Sequence, residues 1–268
     1  MPNLEALTFT RVSGAENTFF IVNLFDQKAE QIVSTWSEST KKSWVQKVCE
    51  KYFGFKTNGV LFLKKEEGVD FSWDFYNSDG SSAEMCGNAA RCAIYFYYHK
   101  VEMKSELSLK TIAGNIVGKV LSENWVQVQM TKTFDEKKDF EVEGFGSGYF
   151  INTGVPHFVI EAHPDKELAA RLRFHPLFGD PGSNITFIKM IAADKAEAVT
   201  FERGVEDFTQ ACGTGAVAAA MYLKSKEDSV RSAKIHMPGG ELIVENLELG
   251  ANPLLIGGAQ FEFELKSY

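Results

Sequence analysis

The stretch NSDGSSAEMCGNAARCAIYFYYHK, residues 77–100, decides how the rest of the chain is read. Turn formers Asn77, Ser78, Asp79, Gly80 and Ser81 lead to Cys86. Gly87 and Asn88 then open an apolar run of Ala89, Ala90, Cys92, Ala93, Ile94, Tyr95 and Phe96 that ends near His99 and Lys100. This pattern predicts a buried helix that begins abruptly. A helix start presents unpaired amide N–H groups and the positive end of the dipole, which lower a thiol's pKa and hold a carboxylate beside it. Cys86 therefore reads as a chemical group and not only a packing one.

The arrangement returns in FERGVEDFTQACGTGAVAAAMYLK, residues 201–224, where Cys212 and Gly213 precede a second small-residue and apolar helix. CGNAARCAIYFY and CGTGAVAAAMYL share the cysteine, the glycine, an Ala-rich turn and an aromatic near the end. The spacing of the two cysteines is close to half of the 268 residues. We read this as a diverged internal duplication, with two halves that close on one small ligand.

Composition narrows the function. With 44% hydrophobic and 24% charged residues the chain is an ordinary globular protein, long enough for two domains. A net charge of −8 and no basic run longer than Lys41-Lys42 or Lys137-Lys138 argue against a nucleic-acid partner. No segment approaches 18 consecutive apolar residues and the N-terminus lacks a targeting pattern, so no membrane association and a cytoplasmic location are expected. Four cysteines lack the density of a disulfide scaffold and suit a reducing compartment. Cys49 reads as a small buried hydrophobe, and Cys92 as packing.

Along the chain, 18–25 reads as a buried strand. Helical spacing runs from Ser39 through Trp44, Val45, Val48 and Tyr52, with Gly54 as C-cap. Strands at 59–65 and 69–76 form a hairpin that feeds the Cys86 helix, and strands at 107–121 and 125–131 follow it. The charged and then glycine-rich DEKKDFEVEGFGSG, 135–148, places the link between halves near 129–148. In the second half, strands at 149–154 and 155–163, a short helix at 165–173, a loop at 177–184 and strands at 185–193 and 195–203 lead to the Cys212 helix. Strands at 233–237, 241–247 and 254–265 close the chain. Each half is several strands plus one apolar helix, which suits a sheet wrapped round a central helix.

No Cys-x-x-Cys is present, and His157 and His236 lack ligand partners at metal spacing, so no metal is expected. Two like acid–base groups facing each other suit inversion of a stereocentre α to a carboxylate. A thiolate removes the proton from one face and a thiol returns one to the other. Backbone N–H groups at Gly87-Asn88 and Gly213-Thr214 would stabilise the charge that develops on the carboxylate.

NSDGSSAEMCGNAARC and FERGVEDFTQACGTGA resemble the two signature cysteine segments of the diaminopimelate epimerase family. Further matches are SGAENTFFIV (13–22), VCEKYFGFKTNGVLFL (48–63), NTGVPHFVI (152–160), GSNITFI (182–188), MPGGELIVE (237–245) and LIGGAQFEFE (255–264). The resemblance implies an α/β (α+β) fold of two pseudo-symmetric domains, each a mostly antiparallel sheet around a central helix. We place them at 1–130 and 131–258, with 259–268 returning to the first. It also implies cofactor-independent interconversion of LL- and meso-diaminopimelate, in lysine and peptidoglycan precursor synthesis, and a homodimer. By motif, Cys86 and Cys212 are the acid–base pair. Gly87, Asn88, Gly213 and Thr214 hold the reacting carboxylate, and Glu202 and His157 lie beside the reacting centre, with Glu202 able to accept the substrate ammonium. Asn17, Asn77, Asn184 and Arg203 recognise the distal amino-acid end.

The sequence departs from the family pattern at Glu16-Asn17-Thr18-Phe19 (usually Gly-Asn-Asp-Phe), Val155-Pro156-His157 (Asn-Pro-His) and Gly87-Asn88-Ala89 (Gly-Asn-Gly). These positions bear on substrate preference, not on the catalytic pair. The alternatives are a related two-cysteine racemase for proline, 4-hydroxyproline or glutamate and, from other classes, a thiol redox protein and a non-catalytic amino-acid-binding relative.

Overall fold

A computed structural model describes residues 7–52 and 57–266 of the chain. It divides into two compact units, Met1–Val128 with Gly258–Tyr268, and Gln129–Gly257. In the first, β1 (Thr8–Gly14) and β2 (Asn17–Asn23) form an antiparallel hairpin. Helices α1 (Gln27–Val33) and α2 (Glu38–Lys47) cross over to β3 (Gly59–Lys64), which runs parallel to β2. β4 (Phe71–Asn77) returns antiparallel to β3 and leads to α3 (Gly87–Lys100). β5 (Glu106–Thr111) lies parallel to β4, and β6 (Gly114–Ser122) and β7 (Trp125–Gln129) complete a meander.

The second unit repeats that order, with one strand added before it and a short one before its central helix. β8 (Phe134–Val142), β9 (Gly146–Asn152) and β10 (Pro156–Glu161) are antiparallel neighbours. A crossover through α4 (Lys166–Arg173) reaches β11 (Asn184–Ala192), parallel to β10, and β12 (Lys195–Glu202) returns antiparallel. After the two-residue β13 (Asp207–Phe208) comes α5 (Gly213–Lys226). β14 (Ser232–Met237) then lies parallel to β12, and β15 (Gly240–Glu245) and β16 (Leu254–Gly258) make the meander. β17 (Gln260–Lys266) pairs with β1 in the first unit as β8 pairs with β9 in the second. The duplication read from two cysteine segments thus extends through the whole topology.

The central helices follow from composition. In α3 every residue from Gly87 to Tyr97 is buried, and in α5 every residue from Gly213 to Leu223 except Thr214. A helix apolar on all sides has no solvent face and is enclosed by its sheet. Both crossovers begin with an aspartate that caps the helix, Asp26 accepting from Ala29 N at 2.9 Å and Asp165 from Leu168 N at 2.9 Å. The first crossover buries Trp36 and Trp44 (ring centroids 5.2 Å apart) against Phe9 and Phe62. At roughly 1.5–3 kcal/mol per large buried side chain, this aromatic cluster anchors α2 to the sheet.

Three readings of the sequence change. β1 and α1 are additional to the elements the sequence predicts, and α1, a seven-residue helix, offers too few turns to show a period. Residues 135–148 are not a link but most of β8 and the start of β9. Their charges sit on an irregular strand in which Asp135 and Asp139 take φ of 51° and 50° and the register with β9 shifts twice, which hides the alternation. Helix α2 passes into a π-helical turn, Val48–Tyr52, while the expected cap Gly54 lies outside the described residues. Among the described residues no helix is long and apolar enough to cross a membrane.

Candidate active site

Each unit gathers its candidate residues at one end of its sheet. In the first, Phe19 of β2 pairs with Gly59 and Gly59 with Asn77, so Asn17 and Asn77 occupy neighbouring strand ends. The β1–β2 turn packs on the start of α3. A Cβ on Gly14 would lie 2.9 Å from Cys92 Sγ and 3.2 Å from Asn88 O, so no larger residue fits. Ala15 and Glu16 make this turn at φ 52° and 60°, a region that costs non-glycine residues energy. Cys86 is the N-cap of α3 with extended backbone (φ −145°, ψ 125°), partly exposed, and its side chain does not cap the helix.

The polar groups around Cys86 form a chain. The Asn88 amide donates to Asn17 Oδ1, and Arg91 Nη2 donates to Asn88 Oδ1 at 2.7 Å. Thr18 is clamped from β3's side, its N–H donating to Asn58 Oδ1 at 2.9 Å and its carbonyl accepting from Thr57 Oγ1 at 2.6 Å. Asn77 stands apart from this chain and donates to Ser81 Oγ at 3.0 Å within its own turn.

In the second unit the candidates interlock around Cys212, the N-cap of α5, which is only 6% exposed. Its Sγ accepts from Gly215 N at 3.3 Å and lies 3.3 Å from Thr214 Oγ1, while its own N–H points at Met237 Sδ. Gly215 is required there, because a Cβ would stand 2.2 Å from Thr200 Oγ1. Thr214 Oγ1 is also 3.0 Å from His157 Nε2, and His157 Nδ1 is 3.0 Å from Thr186 Oγ1, which in turn meets Thr200 Oγ1 at 3.1 Å. A relay thus runs from the thiol through Thr214 and the fully buried imidazole into β11 and β12.

Electrostatics fix the protonation of this end. Burial, with Arg203 assisting, pushes His157 down to about 3, so the imidazole is neutral at physiological pH. Burial and then the Glu202 carboxylate push the Cys212 thiol well above the ordinary thiol range. Burial likewise raises Glu202, against hydrogen bonds from Thr209 and Cys212. Asn184 ties the strand ends together: its Oδ1 accepts from Arg203 N at 2.8 Å and its Nδ2 donates to Pro156 O at 2.9 Å.

Sequence reading missed Arg91, Thr186, Thr200, Thr209 and Met237. Met237 falls inside a quoted motif, and Arg91 is the one charge within an apolar helical run, a signal that was present. Thr186 and Thr209 also fall inside quoted motifs but carry no mark of their own, since strand register brings Thr186 to His157 and Thr200 to Thr186, while Thr209 bonds Glu202. Among the described residues no group of three or more His, Cys, Asp or Glu side chains is placed to hold a metal.

A family profile described as Diaminopimelate epimerase matches residues 9–134 and 149–261. The diaminopimelate epimerase of Aquifex aeolicus is 38% identical over 230 residues, 81% of this chain and 82% of that protein. Among solved structures, a phenazine biosynthesis protein of the PhzF family from Bacillus anthracis shares the fold with a TM-score of 0.73 at 13% identity, over 98% of this chain and 99% of that one. A hydroxyproline epimerase from Agrobacterium vitis does so with a TM-score of 0.67 at 15% identity, over 99% and 93%. Two cysteines at matching helix starts of a duplicated fold, and a match through both halves, place the chain in a family of amino-acid isomerases: it belongs to the diaminopimelate epimerase family.

Proposed function

We propose that the protein interconverts LL- and meso-diaminopimelate by a two-base mechanism without cofactor. The observation that carries this reading is the family match across both halves together with a cysteine at the N-cap of each central helix. One sulfur, as thiolate, takes the α-proton, and the electron pair left on carbon spreads into the substrate carboxylate. The other sulfur, as thiol, gives its proton to the opposite face. Amide N–H groups of Gly87 and Asn88, and of Gly213 and Thr214, stabilise the carboxylate as its charge grows.

The remaining candidates take supporting roles. Glu202 accepts the substrate ammonium, and the neutral His157 fixes Thr214 and through it Cys212. Asn17, Asn77 and Arg203 recognise the distal amino-acid end. Asn184 contributes by holding the Arg203 backbone and by the second N–H of its amide. The protein acts in the cytoplasm as a homodimer.

Deuterium wash-in from solvent, followed across a panel of diaminopimelate, proline, 4-hydroxyproline and glutamate, tests the assignment. Exchange confined to diaminopimelate is expected. Exchange confined to another member would move the protein to that substrate, and binding without exchange would remove the enzymatic reading.

A further inference from the structure

Arg91 is the largest side chain with no solvent exposure among the described residues. Side chains on a helix lean toward its N-terminus, and Arg91 does so: its Nη2 reaches back to Asn88 in the first turn of α3. Its Nε and Nη1 have no hydrogen-bond partner among the described residues. A buried guanidinium is costly unless it is paired, and arginine does not escape the cost by shedding its proton.

The fold itself does not ask for this cation. Arg91 stands five residues after Cys86, and Val217, equally buried, stands five residues after Cys212 in the duplicated helix. Burial works against the Arg91 charge, and Cys92 and Cys86 are the groups that work for it. Cys92 is wholly buried and its thiol is driven far up, so it stays neutral. Cys86 is partly exposed and lies at the helix start that Arg91 leans toward.

The other charges on the elements packed against α3 are engaged or remote. Arg11 of β1 is paired with Glu262 of β17 at 3.0 Å, and Lys64 of β3 with Asp74 of β4 at 2.5 Å. Lys119 of β6 is exposed, as is Glu84, two residues before Cys86. The second unit is built the other way, with a carboxylate, Glu202, against Cys212.

We propose that Arg91 is a positioning residue of the reaction: its buried guanidinium is the counter-charge of a Cys86 thiolate, so that Cys86 is the base and Cys212 the acid of the resting enzyme. The assignment rests on the reading of these two cysteines as the acid–base pair. Starting from it, the Cys86 thiolate takes the α-proton and becomes a thiol, and Cys212 delivers its proton and becomes the thiolate. Exchange with solvent then returns the proton from Cys86 to Cys212. Asn88 and Asn17, tied to the same guanidinium, hold the first turn of α3 in register with the β1–β2 turn.

Iodoacetamide alkylation of each cysteine, read by peptide mass from about pH 5 to about pH 10, tests this on the whole chain. The midpoint for Cys86 is expected below that for Cys212. In Arg91→Gln it should rise by about one pH unit or more with Cys212 unmoved, and Arg91→Lys should restore most of the difference. Cys92→Ala should leave both midpoints in place. An unmoved Cys86 midpoint in a folded Arg91→Gln protein, or a Cys212 midpoint lying below it, would overturn the proposal.

If Arg91→Gln does not fold, the reciprocal pair decides. Cys86→Ser strands the guanidinium and should lose more stability at pH 8 than at pH 5, whereas Cys212→Ser should not. Equal pH profiles would count against Arg91. Failure of the epimerase reading looks different, since the alkylation shift would then persist in a protein that exchanges no α-deuterium.

Discussion

The two units share one topology and hold their cysteines in opposite surroundings. Cys86 is partly open, with a buried cation behind it and an asparagine pair across its first helical turn. Cys212 is closed in, faces a carboxylate, and is wired through Thr214 to a neutral histidine. Duplication supplied two equivalent helix starts, and divergence then placed a buried arginine behind one and a carboxylate against the other. A reaction that must take a proton on one face and give one on the other gains from that asymmetry.

The largest effect should come from erasing either member of the pair. Cys86→Ser and Cys212→Ser should each lower deuterium wash-in by about 10²-fold or more, since a hydroxyl is too weak an acid to replace a thiol. Near-normal turnover in either variant would break the two-base reading.

Transplanting the cation tests whether the two environments are specific. Val217→Arg places a buried charge in the unit that has no thiolate to receive it. The cost should be about 3–5 kcal/mol in urea unfolding, the range for an uncompensated buried ion. A variant as stable as the parent would show that either helix tolerates the charge.

Acid stability sharpens the comparison further. His157 is depressed from 6.5 to about 3, so its contribution is present above pH 6.5 and is lost as pH falls from there to about 3, where both folded and unfolded forms are protonated. The limiting slope is about 1.4 kcal/mol per pH unit from this group, and His157→Gln should flatten that part of the stability profile. Cys212 has the opposite sign. Raised in the folded state, it favours folding below the ordinary thiol pKa, and that contribution fades as pH climbs above it.

The smallest change concerns the turns at the two sites. The second unit turns between β9 and β10 with Gly154 at φ 101°, where the first places Ala15 and Glu16 at positive φ between β1 and β2. Glu16→Gly should therefore stabilise the protein by about 1 kcal/mol in thermal or urea unfolding. A loss of stability would mean that the Glu16 side chain contributes more than its backbone costs.

Much of this was legible beforehand, for identifiable reasons. Cys86 and Cys212 stood out because turn formers before them and apolar residues after them announce a helix start, and their recurrence exposed the repeat. His157, Glu202 and Arg203 were marked by motif. β8 was not legible, because its two positive-φ aspartates interrupt the alternation that identifies a strand. Arg91 does not stand out because the apolar residues around it read as a packing face.

The sequence by itself determined the duplicated helix starts, the absence of basic runs and the family, because each depends on residue types at fixed local spacing. Only the tertiary structure decided which groups surround each sulfur. The threonines that hold His157 come from α5 and β11, and Glu202 meets Cys212 across the gap between β12 and α5. Whether a buried cation or a buried carboxylate lies beside a thiol depends on strand register and helix burial, which join residues far apart in the chain.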